Sequence, residues 1–278
     1  MILVTGAGGK TGKAVVAALA TQTEPVRVWV RHPEQMEGLT CATWIAGDMR
    51  DAPIWDAACK GVRAIYHICP NLHPQEVAIS HLAVEAASRA GVAHFVYHSV
   101  LHPQTSSMPH HWRKLRSEEL IFASGLPFTI LQPCAYMQNV LAYWPSISAR
   151  GVYPVPYSLD ARLSLVDLRD VATVAARVLS EAGHAGAIYE LAGPQPLSQT
   201  EVAALLAQAL GRPMQAERVA WDGWEADARR RGMGDEAITT LLAMFRYYDR
   251  HGLIGNPNVL GWLLGRKPTT FADFVSSL

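Results

Sequence analysis

The sequence predicts an α/β protein, a doubly wound parallel sheet carrying a smaller, mostly helical C-terminal lobe, and three observations support this. Short β-branched runs alternate with longer Ala-rich runs of helical period from Met1 to about Gln132. A glycine-rich turn joins the first strand to the first helix. Past Pro133 the rhythm gives way to an aromatic- and proline-rich stretch.

The strands read, in order, Ile2 to Thr5, Val26 to Val30, Thr43 to Ile45, Ala64 to Ile68, His94 to His98 and Phe128 to Leu131. Between them lie helices at about Thr11 to Thr21, Ile54 to Cys59, Gln75 to Ala90 and Pro109 to Ser124. Gly91 and Gly125 stand where helix C-caps belong, each just before the next strand. These six strands make the sheet. After the stretch Ala135 to Tyr157, the run Leu163 to Leu165 and a helix from Asp167 to Ser180 resume the sheet pattern. A strand at Ile188 to Leu191, a helix from Gln199 to Leu210 opening after Ser198, and an irregular aromatic-rich helical region complete the chain. The expected division is a sheet domain over residues 1–133, the start of a substrate lobe over 134–157, a return to the sheet over 158–186, and the lobe again over 187–278.

With 278 residues, half of them hydrophobic, the chain can bury one large core or one core with an appended lobe. Lys plus Arg and Asp plus Glu both number 24, so the net charge is zero and no segment carries the footprint of a nucleic-acid or membrane-surface binder. The triplet Arg229-Arg230-Arg231 follows Glu225 and Asp227 and reads as a solvated helix face. Cys41, Cys59, Cys69 and Cys134 form no C-x-x-C pair, which fits a reducing compartment. Neither a signal-peptide pattern nor an apolar stretch of membrane-spanning length is present, so a cytoplasmic protein is expected.

The first strand runs into Val4-Thr5-Gly6-Ala7-Gly8-Gly9-Lys10-Thr11-Gly12, and a helical run begins at once. The strict G-x-G-x-x-G register fails at Thr11; Gly6, Gly9 and Gly12 instead give G-x-x-G-x-x-G, the spacing of the short-chain dehydrogenase superfamily. Such glycines allow a sharp turn, a close approach to a pyrophosphate, and tight helix–strand packing, while the helix N-terminus offers N–H groups to the anion. A Rossmann-type dinucleotide site is therefore expected, with Gly6, Gly9, Lys10, Thr11 and Gly12 as its loop. An NAD site places a carboxylate at the end of the second strand, but here that strand ends Trp29-Val30-Arg31-His32-Pro33. Arg31 can pair a 2′-phosphate bidentately, so NADP(H) is favoured over NAD, against an exposed loop arginine without a ligand. Gly47-Asp48-Met49 follows the third strand; Asp48 could accept from the adenine amine with Met49 beneath, or could cap the next helix. Cys69 and Pro70 end the fourth strand on the adenosine side.

The loop, together with Phe95-Val96-Tyr97-His98-Ser99, the helix bearing Lys114 and Glu118, Ser124-Gly125-Leu126-Pro127, Leu131-Gln132-Pro133, Asp167-Leu168-Arg169-Asp170-Val171 and Tyr189-Glu190-Leu191, resembles the NmrA-like branch of the atypical short-chain dehydrogenases over nearly the whole chain. The resemblance implies NADP-dependent quinone and dye reductases, isoflavone-type and benzylic ether reductases, or catalytically silent NADP sensors. Ordinary members of the superfamily carry Tyr-x-x-x-Lys on this helix. Here Lys114 is retained and His110 stands at the tyrosine position, one helical turn away on the same face. Lys114 is the expected contact to the nicotinamide ribose. His110 is a candidate proton donor, the other reading being a solvent-facing histidine at a helix start. Ser99 matches the superfamily's upstream serine.

Substrate contacts are expected just past the sixth strand, from Tyr136 and Asn139, with Pro133 and Tyr136 also beside the cofactor. Tyr143, Trp144 and Tyr153, or Trp221, Trp224 and Phe245, could form an aromatic wall for a flat substrate or could be plain core. The stretch Met244 to Tyr248 could also be a face for a homodimer or a regulatory partner. His98, His102 and His111 lack the spacing of a metal site, so none is expected. Two functions follow: an NADPH-dependent reductase of a small, flat, quinone-like or conjugated electrophile, and a non-catalytic NADP(H) redox sensor that signals to a partner. The absent tyrosine favours the sensor and the retained Lys114 favours the enzyme, which is the reading taken.

Overall fold

The computed structural model describes residues 1–278. In chain order its elements begin with β1 (Ile2–Val4), α1 (Lys10–Leu19), β2 (Val26–Val30), β3 (Thr43–Ala46), α2 (Ala52–Cys59), β4 (Ala64–His67), α3 (Glu76–Arg89), β5 (His94–His98), α4 (Pro109–Ala123) and β6 (Phe128–Pro133). There follow β7 (Ala135–Tyr136), α5 (Trp144–Arg150), β8 (Val152–Val155), β9 (Leu163–Val166), α6 (Leu168–Ser180), β10 (Ala187–Leu191) and β11 (Pro196–Leu197). The last are α7 (Gln199–Leu210), β12 (Gln215–Arg218), α8 (Trp221–Arg230), α9 (Asp235–His251), α10 (Asn258–Leu264) and α11 (Phe271–Ser276). No helix is long and apolar enough to cross a membrane.

Two compact units emerge. The first takes Met1–Gln104, His111–Gln132 and Leu168–Tyr189; the second takes Thr105–His110, Pro133–Asp167 and Glu190–Leu278.

The first unit is a Rossmann-type fold built on a seven-stranded sheet of order β10-β6-β5-β4-β1-β2-β3. The strands from β6 to β3 pair in parallel. Both faces of such a sheet are covered, so β1 and β4 are buried at every residue and lack polar alternation. On one face α1 packs against α6, burying Gly12, Val15, Val16 and Leu19. On the other, Trp29, Trp55, Ile65, Ile79, Ala83, Phe95 and Ile130 share one apolar cluster. Strand order reverses between β1 and β4, the switch point outside whose carboxyl ends sheets of this kind bind their ligands.

Two sheet assignments differ from the sequence reading. The run at Leu163 does not return to the large sheet: β9 pairs parallel with β7 and antiparallel with β11 in a separate three-stranded sheet. A short apolar run marks a strand without naming its partner; beside this one Gly193 comes so close to the Leu165 carbonyl that a Cβ would find no room. The seventh strand of the large sheet is instead β10, expected in the lobe.

The second unit has its own core, in which Met137, Val140, Ile147, Val155, Val202, Leu206, Phe271 and Phe274 pack together. Helix α7 opens with a capping box between Ser198 and Glu201, the Ser198 amide donating to Glu201 Oε2 at 2.7 Å and the Glu201 amide to Ser198 Oγ at 3.2 Å. Trp224, Ala228, Ile238, Leu242 and Phe245 form a further cluster between α8 and α9.

Candidate active site

The loop after β1 is fixed from beneath by Thr5. Its amide donates to the Tyr66 carbonyl at 3.0 Å, and its hydroxyl donates to the Ile68 carbonyl at 3.1 Å and accepts from the Ile68 amide at 2.9 Å. The same hydroxyl lies 3.1 Å from His67 Nδ1. Gly6 then turns with φ of 61°, and a Cβ there would meet the Ile68 carbonyl oxygen at 2.9 Å. Gly12 sits where α1 crosses the loop, so a Cβ would collide with the Gly6 carbonyl and lie 2.5 Å from Ala7 Cα. Gly9 is different: only the Gly6 oxygen, at 3.4 Å, lies near its missing Cβ. It is exposed, and as the N-cap of α1 it offers no side chain to the amides of the first turn. The sterically closed glycines build the turn; the open one borders a cradle at the helix N-terminus, which fits a pyrophosphate.

The ends of β2 and β3 lie side by side, the pairing of Val30 with Ala46 bringing Arg31 next to Gly47. Gln35 Oε1 accepts from the Arg31 amide at 2.9 Å and the His32 amide at 3.1 Å, and its side chain occupies the space above Gly8. This ties the glycine loop to the backbone of Arg31. The Arg31 side chain is exposed and makes no hydrogen bond or ion pair, so its guanidinium is open to an anion.

Asp48 does not cap a helix. The N-cap of α2 is Asp51, and the Asp48 carboxylate accepts from the Arg50 amide at 2.9 Å, from Nε at 3.0 Å and from Nη2 at 2.6 Å. The hydrogen bonds from Arg50, with the charge of Arg31 behind them, hold its carboxyl well below the usual range. Met49 is drawn into the core, its carbonyl accepting from Trp55 Nε1 at 2.7 Å. Cys69 is buried, which pushes its thiol up, and Pro70 is exposed beyond it.

A polar cluster absent from the sequence reading lies inside this unit. Lys114 is 4 % exposed and Glu76 fully buried, and their Nζ and Oε1 stand 2.6 Å apart. Lys114 also donates to the His98 carbonyl at 2.8 Å and lies 5.0 Å from the centroid of the Tyr97 ring. The Tyr97 hydroxyl donates to the same Glu76 oxygen at 3.0 Å. The Lys114 ammonium is thus a paired, buried charge. Ser99, at the end of β5, gives its proton to Glu118, whose oxygens also accept from Gln132 Nε2 at 3.0 and 3.1 Å. Burial raises the Glu118 carboxyl, while Ser99, Gln132 and the charge of Lys114 oppose that shift. Tyr66 bonds His98 Nδ1 at 2.7 Å. Burial, with Lys114 adding repulsion, lowers His67 and His98 to about 3.

In the second unit, His110 is buried at 6 % exposure, which removes the solvent-facing reading; the first turn of α4 is tucked in because its apolar neighbour Met108 is fully buried. Pro133 is buried, Tyr136 is half-buried on β7, and Asn139 is exposed in the turn after it. Gln138 Nε2 donates to Asp167 at 2.8 Å. Trp224 and Phe245, 4.8 Å between centroids, are core, as is Tyr153, which donates to Gln199 Oε1 at 3.3 Å. The Tyr157 ring lies 6.0 Å from Phe245 and 5.8 Å from Tyr248. No group of three His, Cys, Asp or Glu is placed to hold a metal.

The profile of the NmrA-like family matches residues 1–275. An NAD(P)H azoreductase of Xenophilus azovorans is 30% identical, with 100% of this chain and 97% of that protein aligned. Quinone oxidoreductase 2 of Escherichia coli is 29% identical over 100% of this chain and 98% of its own length. The crystal structure of that NADPH-dependent quinone oxidoreductase complexed with NADPH superposes with a TM-score of 0.86, covering 100% of this chain and 99% of the other at 29% identity. The triphenylmethane reductase of Citrobacter sp. complexed with NADP(H) gives a TM-score of 0.86 over 99% of both chains at 22% identity, a likeness of fold.

Proposed function

The chain belongs to the NmrA-like family, and from that membership we propose that it is an NADPH-dependent oxidoreductase that reduces small, flat electrophiles of the quinone kind. The observation that carries the reading is the pairing of an open phosphate cradle at Gly9 with an exposed, uncommitted Arg31 at the end of the neighbouring strand. Relatives named as an NAD(P)H azoreductase and a quinone oxidoreductase support turnover over a purely sensory role.

Bound NADPH would supply the hydride. Gly6, Gly9, Lys10, Thr11 and Gly12 would hold its pyrophosphate at the head of α1, and Arg31 its 2′-phosphate. Asp48, Met49, Cys69 and Pro70 would border the adenosine, Asp48 by accepting from the adenine amine while it keeps Arg50. Lys114 would donate to the nicotinamide ribose, with Ser99 holding the end of β5 through Glu118. Pro133 and Tyr136 would flank the nicotinamide, and Tyr136 with Asn139 would meet the substrate. His110 would deliver the proton that follows the hydride, in place of the absent tyrosine.

The test is the rate of NADPH oxidation with a panel of quinones, enones and imines, with Lys114→Ala and His110→Phe beside the wild type. Turnover that falls in both variants supports the assignment. Turnover on no compound moves the chain to the sensor class.

A further inference from the structure

Lys114 is 4 % exposed, and a cation taken out of water is costly without a counter-charge beside it. Several groups face it. From β4 and the turn after it come His67 and Cys69; from β5, Tyr97 and His98; from its own helix, His111 and Glu118, with Arg113 beyond acting on Cys69; and from α3, Glu76. The three histidines are neutral by burial, and the Cys69 thiol is raised by it. Glu118 is turned toward Ser99 and Gln132. The one anion in direct contact is Glu76.

We propose that Glu76 is a positioning residue: it supplies the counter-charge of Lys114 and aims it, so that the ammonium meets the nicotinamide ribose as a fixed donor, with Tyr97 holding Glu76 in place. The geometry is restrictive. One Nζ proton goes to Glu76 at 2.6 Å and a second to the His98 carbonyl at 2.8 Å, which fixes the direction of the third. The Tyr97 hydroxyl, 3.0 Å from the same carboxylate oxygen, stops that oxygen from swinging away, and its ring lies against the ammonium. Glu76 is the first residue of α3, where the helix dipole favours an anion even in the core. The proposal rests on the reading of the chain as an NADPH enzyme and of Lys114 as a ribose contact.

The experiment measures the NADPH dissociation constant, by cofactor fluorescence, from about pH 7 to about pH 9.5 for wild type, Glu76→Gln, Tyr97→Phe and Lys114→Met, with thermal unfolding as the folding control. Wild type is expected to bind evenly across the range. Glu76→Gln should lose about tenfold or more in affinity toward the alkaline end, where the Lys114 side chain no longer faces a carboxylate. Tyr97→Phe, which removes one hydroxyl, should lose about two- to threefold there. Lys114→Met should bind weakly and evenly at every pH. A wild type that binds no NADPH overturns the cofactor reading itself. A wild type that binds, beside a folded Glu76→Gln with the same flat profile, overturns the role of Glu76 alone; where that variant does not fold, a flat wild-type profile in Tyr97→Phe does so. Unchanged affinity in Lys114→Met also overturns it.

Discussion

Lys114 Nζ and Glu76 Oε1 lie 2.6 Å apart in the first unit, joining α4 to α3 through a buried charge pair. Removing one partner leaves the other charge buried and alone. Glu76→Ala is therefore expected to destabilise the fold by about 3 to 5 kcal/mol. Replacing both partners, as in Glu76→Leu with Lys114→Met, should cost distinctly less. Urea unfolding of the three proteins checks this, and equal losses in the single and double variants would count against a buried pair.

Gly9 and Gly12 should separate cleanly. Gly12→Ala drives a Cβ into the Gly6 and Ala7 backbone and should cost about 1 to 3 kcal/mol or more in stability. Gly9→Ala meets only the Gly6 oxygen at 3.4 Å and should stay within about 1 kcal/mol of wild type. It should nevertheless weaken NADPH binding about tenfold or more, since its methyl group enters the phosphate cradle. Unfolding midpoints and NADPH titrations of both variants settle the matter; a Gly9→Ala protein with full affinity would mean the cradle lies elsewhere.

Arg31→Ala should raise the NADPH dissociation constant by about 1.5 to 3 kcal/mol, roughly 10- to 150-fold, and leave that for NADH almost unchanged. The guanidinium is exposed, makes no hydrogen bond or ion pair and acts on Asp48 only at a distance, so the loss should appear in binding far more than in stability. Parallel losses for both cofactors would contradict a 2′-phosphate contact.

Acid should weaken the fold in a defined window. Burial lowers His67 and His98 to about 3 and His111 to about 4, below the unperturbed 6.5. A group with a depressed folded value contributes stability that is complete above its unfolded value and is lost as pH falls toward the folded one. Stability should thus decline from about pH 6.5 downward, by up to about 1.4 kcal/mol per pH unit for each histidine. Urea midpoints at about pH 7, 5.5 and 4.5 measure the slope, and His98→Asn should reduce it. A midpoint constant over that range would show that these rings are charged or exposed.

Much of this was written in the local sequence. The glycines at 6, 9 and 12 are legible because turning and close backbone approach admit no other residue at two of them. Arg31 is legible because the register of β2 is set by its own apolar pattern. Glu76 carried a signal that the sequence reading passed over: it shares a helical stripe with Ile79, Ser80, Ala83 and Ala87, so a carboxylate lies on a core-facing surface. The same spacing places His110, His111, Lys114, Ser117, Glu118 and Ile121 on the buried side of α4. What the chain could not reveal is which of these polar groups meet. The contact of α3 with α4 across β5, the capture of Asp48 by Arg50, and the choice of sheet for Leu163 are all decided by tertiary neighbours.

The most direct test of the account is NADPH consumption by the purified protein with a simple quinone, followed by the loss of the cofactor's near-ultraviolet absorbance. The account predicts quinone-dependent oxidation of NADPH, a much weaker rate with NADH, and loss of that preference in Arg31→Ala. NADPH that binds but is consumed with no quinone, enone or imine would contradict it and leave a cofactor-binding protein without turnover.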